Sequence, residues 1–246
     1  MPDSLARLPA YQINHLAWAL LDFIYPPSCG GCGKPGIRWC ADCHTSLRSV
    51  PHTRACKICD LPLAPGQACP DCSRNRPHFS ALRSVFIYEG ALRKAIHKLK
   101  FQNDLGLAET FSACLIDEFF STEWPIDVIT AVPLSKNRQK ERGFNQSILL
   151  ARTLAWGTKI PFDPNLIARR RETTSQVGLD APQRLSNVTG AFTSPSGICN
   201  GQNVLIIDDI ATTGATLSAC AQSLLERGAH EVFALTLARA VQLDGS

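Results

Sequence analysis

The sequence predicts an α/β fold: a parallel sheet flanked by helices and preceded by a small cysteine-rich module. Three observations predict it. Eight of the 11 cysteines fall between residues 29 and 72, in four C-x-x-C pairs. From residue 80 onward, short apolar runs alternate with stretches of helical periodicity, the pattern of strands and crossover helices in a parallel sheet. One such run, "VLII" at 204–207, leads into two adjacent acids and a Thr/Gly-rich turn, "DDIATTGAT". Ligands bind beyond the carboxyl ends of strands in such sheets. With 246 residues, two units are expected: 1–78, an N-terminal helix plus the cysteine module, and 79–246, the sheet domain.

The first element is an apolar run, "QINHLAWALLDFI" at 12–24, interrupted by Gln12, Asn14, His15 and Asp22. It is too short and too polar to span a bilayer and has no cleavage site after it. The expectation is a docked amphipathic helix in a cytoplasmic protein that is not integral to a membrane. Glycosylation-type triplets at Asn145 and Asn187 then carry no meaning.

The module follows, with Cys29/Cys32, Cys40/Cys43, Cys56/Cys59 and Cys69/Cys72 as identical knuckles. A two-residue gap turns both thiolates toward one ion, and two knuckles complete a tetrahedral zinc site. Redox chemistry would need a βαβ context, which is missing. Two structural Zn²⁺ ions are expected. Sequential pairing leaves 7 and 9 residues between knuckles; interleaved pairing leaves 23 and 25. Short loops favour the sequential scheme, and the interleaved one stays open. Isolated Cys114, Cys199 and Cys220 read as apolar filling. "GCGKPG" at 31–36 imitates a dinucleotide fingerprint, but it lacks the flanking strand and helix and reads as a knuckle turn.

Zinc also revises the charge. Residues 1–100 carry 13 Lys+Arg against 6 Asp+Glu, or +7. Eight thiolates and two Zn²⁺ bring this to +3 and the whole chain from +4 to zero. The raw basic excess is therefore a weak sign of a polyanion partner.

The sheet domain reads as a strand "ALRSVFIY" (81–88), a helix with a basic face "GALRKAIHKLKF" (90–101) and a helix "LAETFSACLIDEFF" (107–120). A strand "DVITAVPL" (127–134) and a helix "FNQSILLARTLAW" (144–156) come next. A strand "NVLIID", a helix over about 214–227 and a strand "EVFALTLA" (231–238) close it. Asp208 and Asp209 stand where the "VLII" run ends. Gly214 permits a tight turn, and the first N–H groups of the following helix, with Thr hydroxyls, make a phosphate cradle. Adjacent carboxylates suit sugar hydroxyls or Mg²⁺. A ribose joined to phosphate fits both. The G-x-x-x-x-G-K-[ST] signature of nucleoside triphosphate hydrolysis is absent.

"VLIIDDIATTGAT" resembles the phosphoribosyl pyrophosphate (PRPP) signature of type I phosphoribosyltransferases. "FIYPPSC", "HKLKF", "VPLS", "RGFNQS" and "TTSQVGLDAPQRLSNV" are similar, in the same order, to one branch, the ComF (ComFC/GntX-like) family. The resemblance implies a type I phosphoribosyltransferase-like parallel sheet with an N-terminal four-cysteine zinc-ribbon module. It assigns Asp208 and Asp209 to the ribose hydroxyls and Ala211, Thr212, Thr213, Gly214, Ala215 and Thr216 to the 5′-phosphate. The loop after "VITAVPL", with Lys136, Arg138, Lys140 and Arg142, would meet Mg²⁺-pyrophosphate, joined by Lys100. Residues 171–187 would form a hood, with Gln176, Arg184 and Asn187 matching. No catalytic base or acceptor pocket is legible.

The same resemblance implies a role in natural transformation, with PRPP, single-stranded DNA and the DNA-uptake machinery as partners. The alternative is phosphoribosyl transfer to a base or nucleotide-type acceptor in salvage metabolism. The basic helix face of Arg93, Lys94, His97, Lys98 and Lys100 is the candidate track for a phosphate backbone. Phe101, Tyr88 and Phe86 are the nearest aromatic residues.

Overall fold

A computed structural model describes residues 26–170, 190–195 and 199–241. The run at 12–24 and the hood residues Gln176, Arg184 and Asn187 lie outside the described residues. In chain order the elements begin with α1 (Ala41–Thr45), α2 (Pro70–Arg74), β1 (Ala81–Ile87), α3 (Gly90–Phe101), α4 (Gly106–Thr122) and β2 (Val128–Ala131). They continue with α5 (Lys136–Arg142), α6 (Gln146–Thr158), β3 (Ala168–Arg169), β4 (Phe192–Thr193), β5 (Asn203–Ala211), α7 (Ala215–Leu225) and β6 (Glu231–Arg239). Among the described residues no helix is long and apolar enough to cross a membrane.

Strands β1, β6, β5 and β2 form one parallel sheet in that order. Helices cover both faces, so β5 and β6 read as near-continuous apolar runs. One core lies under α3, α4 and α6, with Leu205, Ile207, Leu235 and Leu237. The other lies under α7, with Val204, Ile206, Val232 and Ala234. Helix α3 turns Leu92, Ala95, Ile96 and Leu99 inward at helical spacing. Asn145 caps α6 by accepting the Ser147 N–H at 2.9 Å.

The structure departs from expectation at three places. The strand expected over 127–134 stops at Ala131, because Pro133 has no N–H for the ladder. The run "NVLIID" continues as strand to Ala211, so the two acids sit inside β5 rather than after it. The basic segment expected as a loop holds the short helix α5, capped by the Ser135 hydroxyl accepting the Arg138 N–H at 3.3 Å. The β3–β4 pair has two residues per strand, too few to leave a periodic signal.

The two cysteine knuckle pairs straddle edge strand β1. The chain between them pairs antiparallel with β1: the Val50 N–H donates to Val85 O at 3.1 Å and the Ile87 N–H to Arg48 O at 2.7 Å. Trp39 packs edge-on against Phe111 under α4, at 5.0 Å between rings. Cys56, Cys59 and Cys69 join the opposite core, with Phe79 and Leu82. An otherwise open edge is thereby covered.

Asp60, wholly buried with φ +58°, ties the second pair to the sheet. It accepts the Ser84 N–H at 2.7 Å and lies 3.0 Å from His52 Nδ1 and 3.5 Å from Arg83. His52 Nε2 is 3.1 Å from Glu118 on α4. The hydrogen bonds to Asp60 and then Glu118 raise His52 to about 9. A raised imidazolium stabilises fully below its ordinary value of 6.5, and that contribution is lost as pH rises through about 9. Urea midpoints should therefore fall over that window in the parent protein and fall less in His52→Gln. Parallel curves would contradict the assignment.

Candidate functional site

Two features carry chemistry: the cysteine clusters and the acid pair with its loop. The cysteines group as Cys29/Cys32/Cys40/Cys43 and Cys56/Cys59/Cys69/Cys72, with the sulfurs of each group all within 4.8 Å of one another. This is the sequential pairing. None of the 11 cysteines is in a disulfide. Sulfur separations of 3.6 Å (Cys29–Cys40, Cys32–Cys40, Cys59–Cys69) and 3.8 Å (Cys56–Cys72) match a tetrahedron. Four sulfurs 2.3 Å from a central ion lie about 3.8 Å apart. Burial pushes the Cys59 thiol up to about 12 and also raises Cys43 and Cys72. A soft divalent cation is what would let these sulfurs ionise together, so both clusters fit Zn²⁺. Gly31 explains part of "GCGKPG": a Cβ there would lie 2.7 Å from the Cys43 sulfur.

The acid pair sits where β5 outruns its neighbour. The β2–β5 ladder ends at Ala131↔Ile207, while β5 stays paired to β6 as far as Ala211↔Arg239. Asp208 Oδ1 accepts the Ser147 hydroxyl at 2.7 Å and the Asp209 N–H at 2.9 Å. Asp209, 3% exposed, holds Lys100 Nζ at 2.9 Å and 2.7 Å from its two oxygens. Burial, then the Asp209 charge, push the Asp208 carboxyl up to about 7; the Ser147 hydrogen bond and Lys100 oppose this.

The loop then turns at Gly214, whose φ of +77° only glycine adopts without strain, into α7. The Ala215 N–H reaches Thr213 Oγ1 at 3.3 Å. Ala211, Gly214 and Ala215 are buried, while Thr212 is exposed and Thr213 and Thr216 are half-buried. Behind the loop lies a residue the sequence did not flag. Arg239, 1% exposed, donates Nη1 to Ala211 O at 3.2 Å and to Thr212 O.

Of the other expected residues, Arg142 joins the site. Its guanidinium lies 4.8 Å over the Phe101 ring and bonds Gln146 at 3.0 Å, and burial pulls it below the ordinary arginine value against the Asp209 charge. Lys136 and Lys140 instead line an open groove of about 370 Å³ with Pro133, Leu134 and Pro164. The basic face of α3 is divided. Lys98 bonds the Cys29 carbonyl at 3.1 Å and Lys100 holds Asp209, leaving Arg93, Lys94 and His97 exposed. Phe86 is core and Tyr88 half-buried, but Phe101 is 59% exposed. Ser147 and Arg239 were missed because their partners lie 61 and 28 residues away.

Protein purified without chelators should carry two zinc ions per chain, measured by elemental analysis. Cys→Ser change in either cluster should remove one. A content near zero would contradict the tetrahedral reading.

Comparison with known proteins agrees with this geometry. Residues 20–73 match the double zinc ribbon domain and residues 145–243 the phosphoribosyl transferase domain. The chain is 34% identical to "DNA utilization protein YhgH" of Salmonella typhi, over 81% of this chain and 89% of that one. It is 33% identical to "Competence protein ComFC" of Bacillus subtilis, over 84% and 86%. It is 30% identical to "Competence protein F" of Haemophilus influenzae, over 82% and 90%. With two cysteine clusters set beside a phosphoribosyltransferase-type loop along most of its length, the chain belongs to the ComF family.

Proposed function

We propose that the protein binds PRPP with Mg²⁺ at the carboxyl edge of its sheet and acts on single-stranded DNA during DNA uptake, in the cytoplasm. The observation that carries the first part is the acid pair projecting past β2 beside the glycine-turned loop. Asp208 and Asp209 would accept the ribose hydroxyls, and the N–H groups and hydroxyls of 212–216 would take the 5′-phosphate. The donor set is carboxylate oxygen, which suits Mg²⁺, and that ion would supply charge stabilisation for a departing pyrophosphate. Lys100 neutralises Asp209 until ligand arrives and would then move to the pyrophosphate, joined there by Arg142. Lys136, the hood residues Gln176, Arg184 and Asn187, and division of the chain into 1–78 and 79–246 belong to the same reading.

DNA handling is supported by the names of the relatives and by the exposed part of α3. Arg93, Lys94 and His97 lead along the helix to Phe101, whose ring meets His97 at 4.7 Å and Arg142 at 4.8 Å. An exposed aromatic ring beside an arginine and an imidazole would serve as a stacking platform for an unpaired base. A second reading, transfer to a base or nucleotide-type acceptor, is favoured by Asp208, an acid poised near neutrality and able to take a proton from such a group.

Calorimetry should show PRPP–Mg²⁺ binding that weakens at least about tenfold in the Asp208→Ala/Asp209→Ala double variant, since charge-assisted bonds contribute about 1.5–3 kcal/mol each. Because Asp208 ionises as pH rises through about 7, affinity should climb between about pH 6 and 8, and Asp208→Asn should flatten that climb. Equal affinity in the double variant would refute the site.

Single-stranded DNA binding should fall steeply with salt, and Phe101→Ala should weaken it by about 1–3 kcal/mol. Absence of DNA binding at low salt, with pyrophosphate release on adding a base, would favour the second reading.

A further inference from the structure

One buried cation holds the backbone of the loop that follows β5. Arg239 closes β6, holds the carbonyls of Ala211 and Thr212, and leaves its Nε buried without a partner among the described residues. No carboxylate among the described residues lies within ion-pair distance of it. Arginine keeps its proton in proteins, so a buried guanidinium needs a counter-charge.

What lies nearby is the second cysteine cluster. The core holding Cys56, Cys59 and Cys69 also contains Ala211, Ala215 and Leu217. A cavity of about 370 Å³ has Cys59 and Cys72 on one wall and Thr213, Gly214, Ala215 and Ser218 on another. His78, just beyond the ribbon, bonds the Ser218 hydroxyl at 3.0 Å through its N–H and 3.1 Å through Nδ1. Four thiolates around one Zn²⁺ carry a net charge of −2, opposite in sign to Arg239. The first cluster packs against Trp39 and Ala91, on the other face of the sheet.

We propose that the loaded second centre is the counter-charge of Arg239 and, through it, sets the backbone of the phosphate loop, so that metal at Cys56/Cys59/Cys69/Cys72 controls the loop while metal at Cys29/Cys32/Cys40/Cys43 does not. Arg239 is then a positioning residue. The consequence for ligand binding rests on the proposed anion role of the loop; the order of the loop does not.

The test uses the full chain with zinc content quantified. Cys72→Ser and Cys32→Ser each weaken one centre. Hydrogen exchange at amides 212–216, without ligand, should accelerate at least about tenfold in Cys72→Ser and stay within about twofold in Cys32→Ser. Ribose 5-phosphate affinity should follow the same order.

Should Cys72→Ser fail to fold, Arg239→Gln supplies the reciprocal measurement, because coupling acts in both directions. Chelator competition should strip one of the two zincs at least about tenfold faster than in the parent and the other at an unchanged rate, with Arg239→Lys intermediate. Equal loop responses to the two cysteine changes, or unchanged zinc release in Arg239→Gln, would overturn the proposal. Loop exchange that responds as described in a protein that binds no ribose 5-phosphate would sink the ligand reading alone.

Discussion

Everything at the site depends on β5 running past the end of β2. The ladder stops at Ala131↔Ile207, since Val132 makes its last bond to Ile207 O at 3.0 Å and Pro133 cannot extend it. From Asp208 to Ala211 the strand is held by β6 alone. Its β2-side edge is open there, and two carboxylates, a glycine turn and a helix N-terminus converge on it. Had β2 continued, that edge would be filled by backbone.

Placing two acids side by side in a half-dry edge has a consequence in charge. Burial disfavours the ionised form of Asp208, and the Asp209 charge adds to that. The surroundings respond with Lys100 on Asp209, the Ser147 hydroxyl on Asp208 and Arg142 close by. Asp208 is left titrating near neutrality. The same economy recurs at the ribbon, where buried Asp60 is answered by Ser84, His52 and Arg83.

Features confined to short stretches of chain were legible in the sequence. The C-x-x-C knuckles were, because two residues of spacing suffice to aim two sulfurs at one ion. The acids and the Gly214 turn were, because strand, turn and helix are contiguous. Helix 90–101 was, because Leu92, Ala95, Ile96 and Leu99 share one face. What stayed hidden depends on partners far along the chain. Lys98 read as part of a basic track for a phosphate backbone and instead bonds the Cys29 carbonyl, 69 residues away. Lys100 looked like a pyrophosphate ligand and is paired with Asp209, 109 residues away. Arg239 ended a strand with nothing local to mark it as buried. The Thr/Gly run signalled its strand-to-helix turn, but not the arginine that holds its carbonyls.

The central claim is that the open edge of β5 seats a phosphoribosyl ligand. A crystal structure with PRPP and Mg²⁺ tests it most directly. The account predicts the 5′-phosphate on the amides of 212–216, the ribose hydroxyls on Asp208 and Asp209, and Lys100 drawn off Asp209 toward the pyrophosphate. A ligand seated elsewhere, with the Lys100–Asp209 pair still closed, would contradict it.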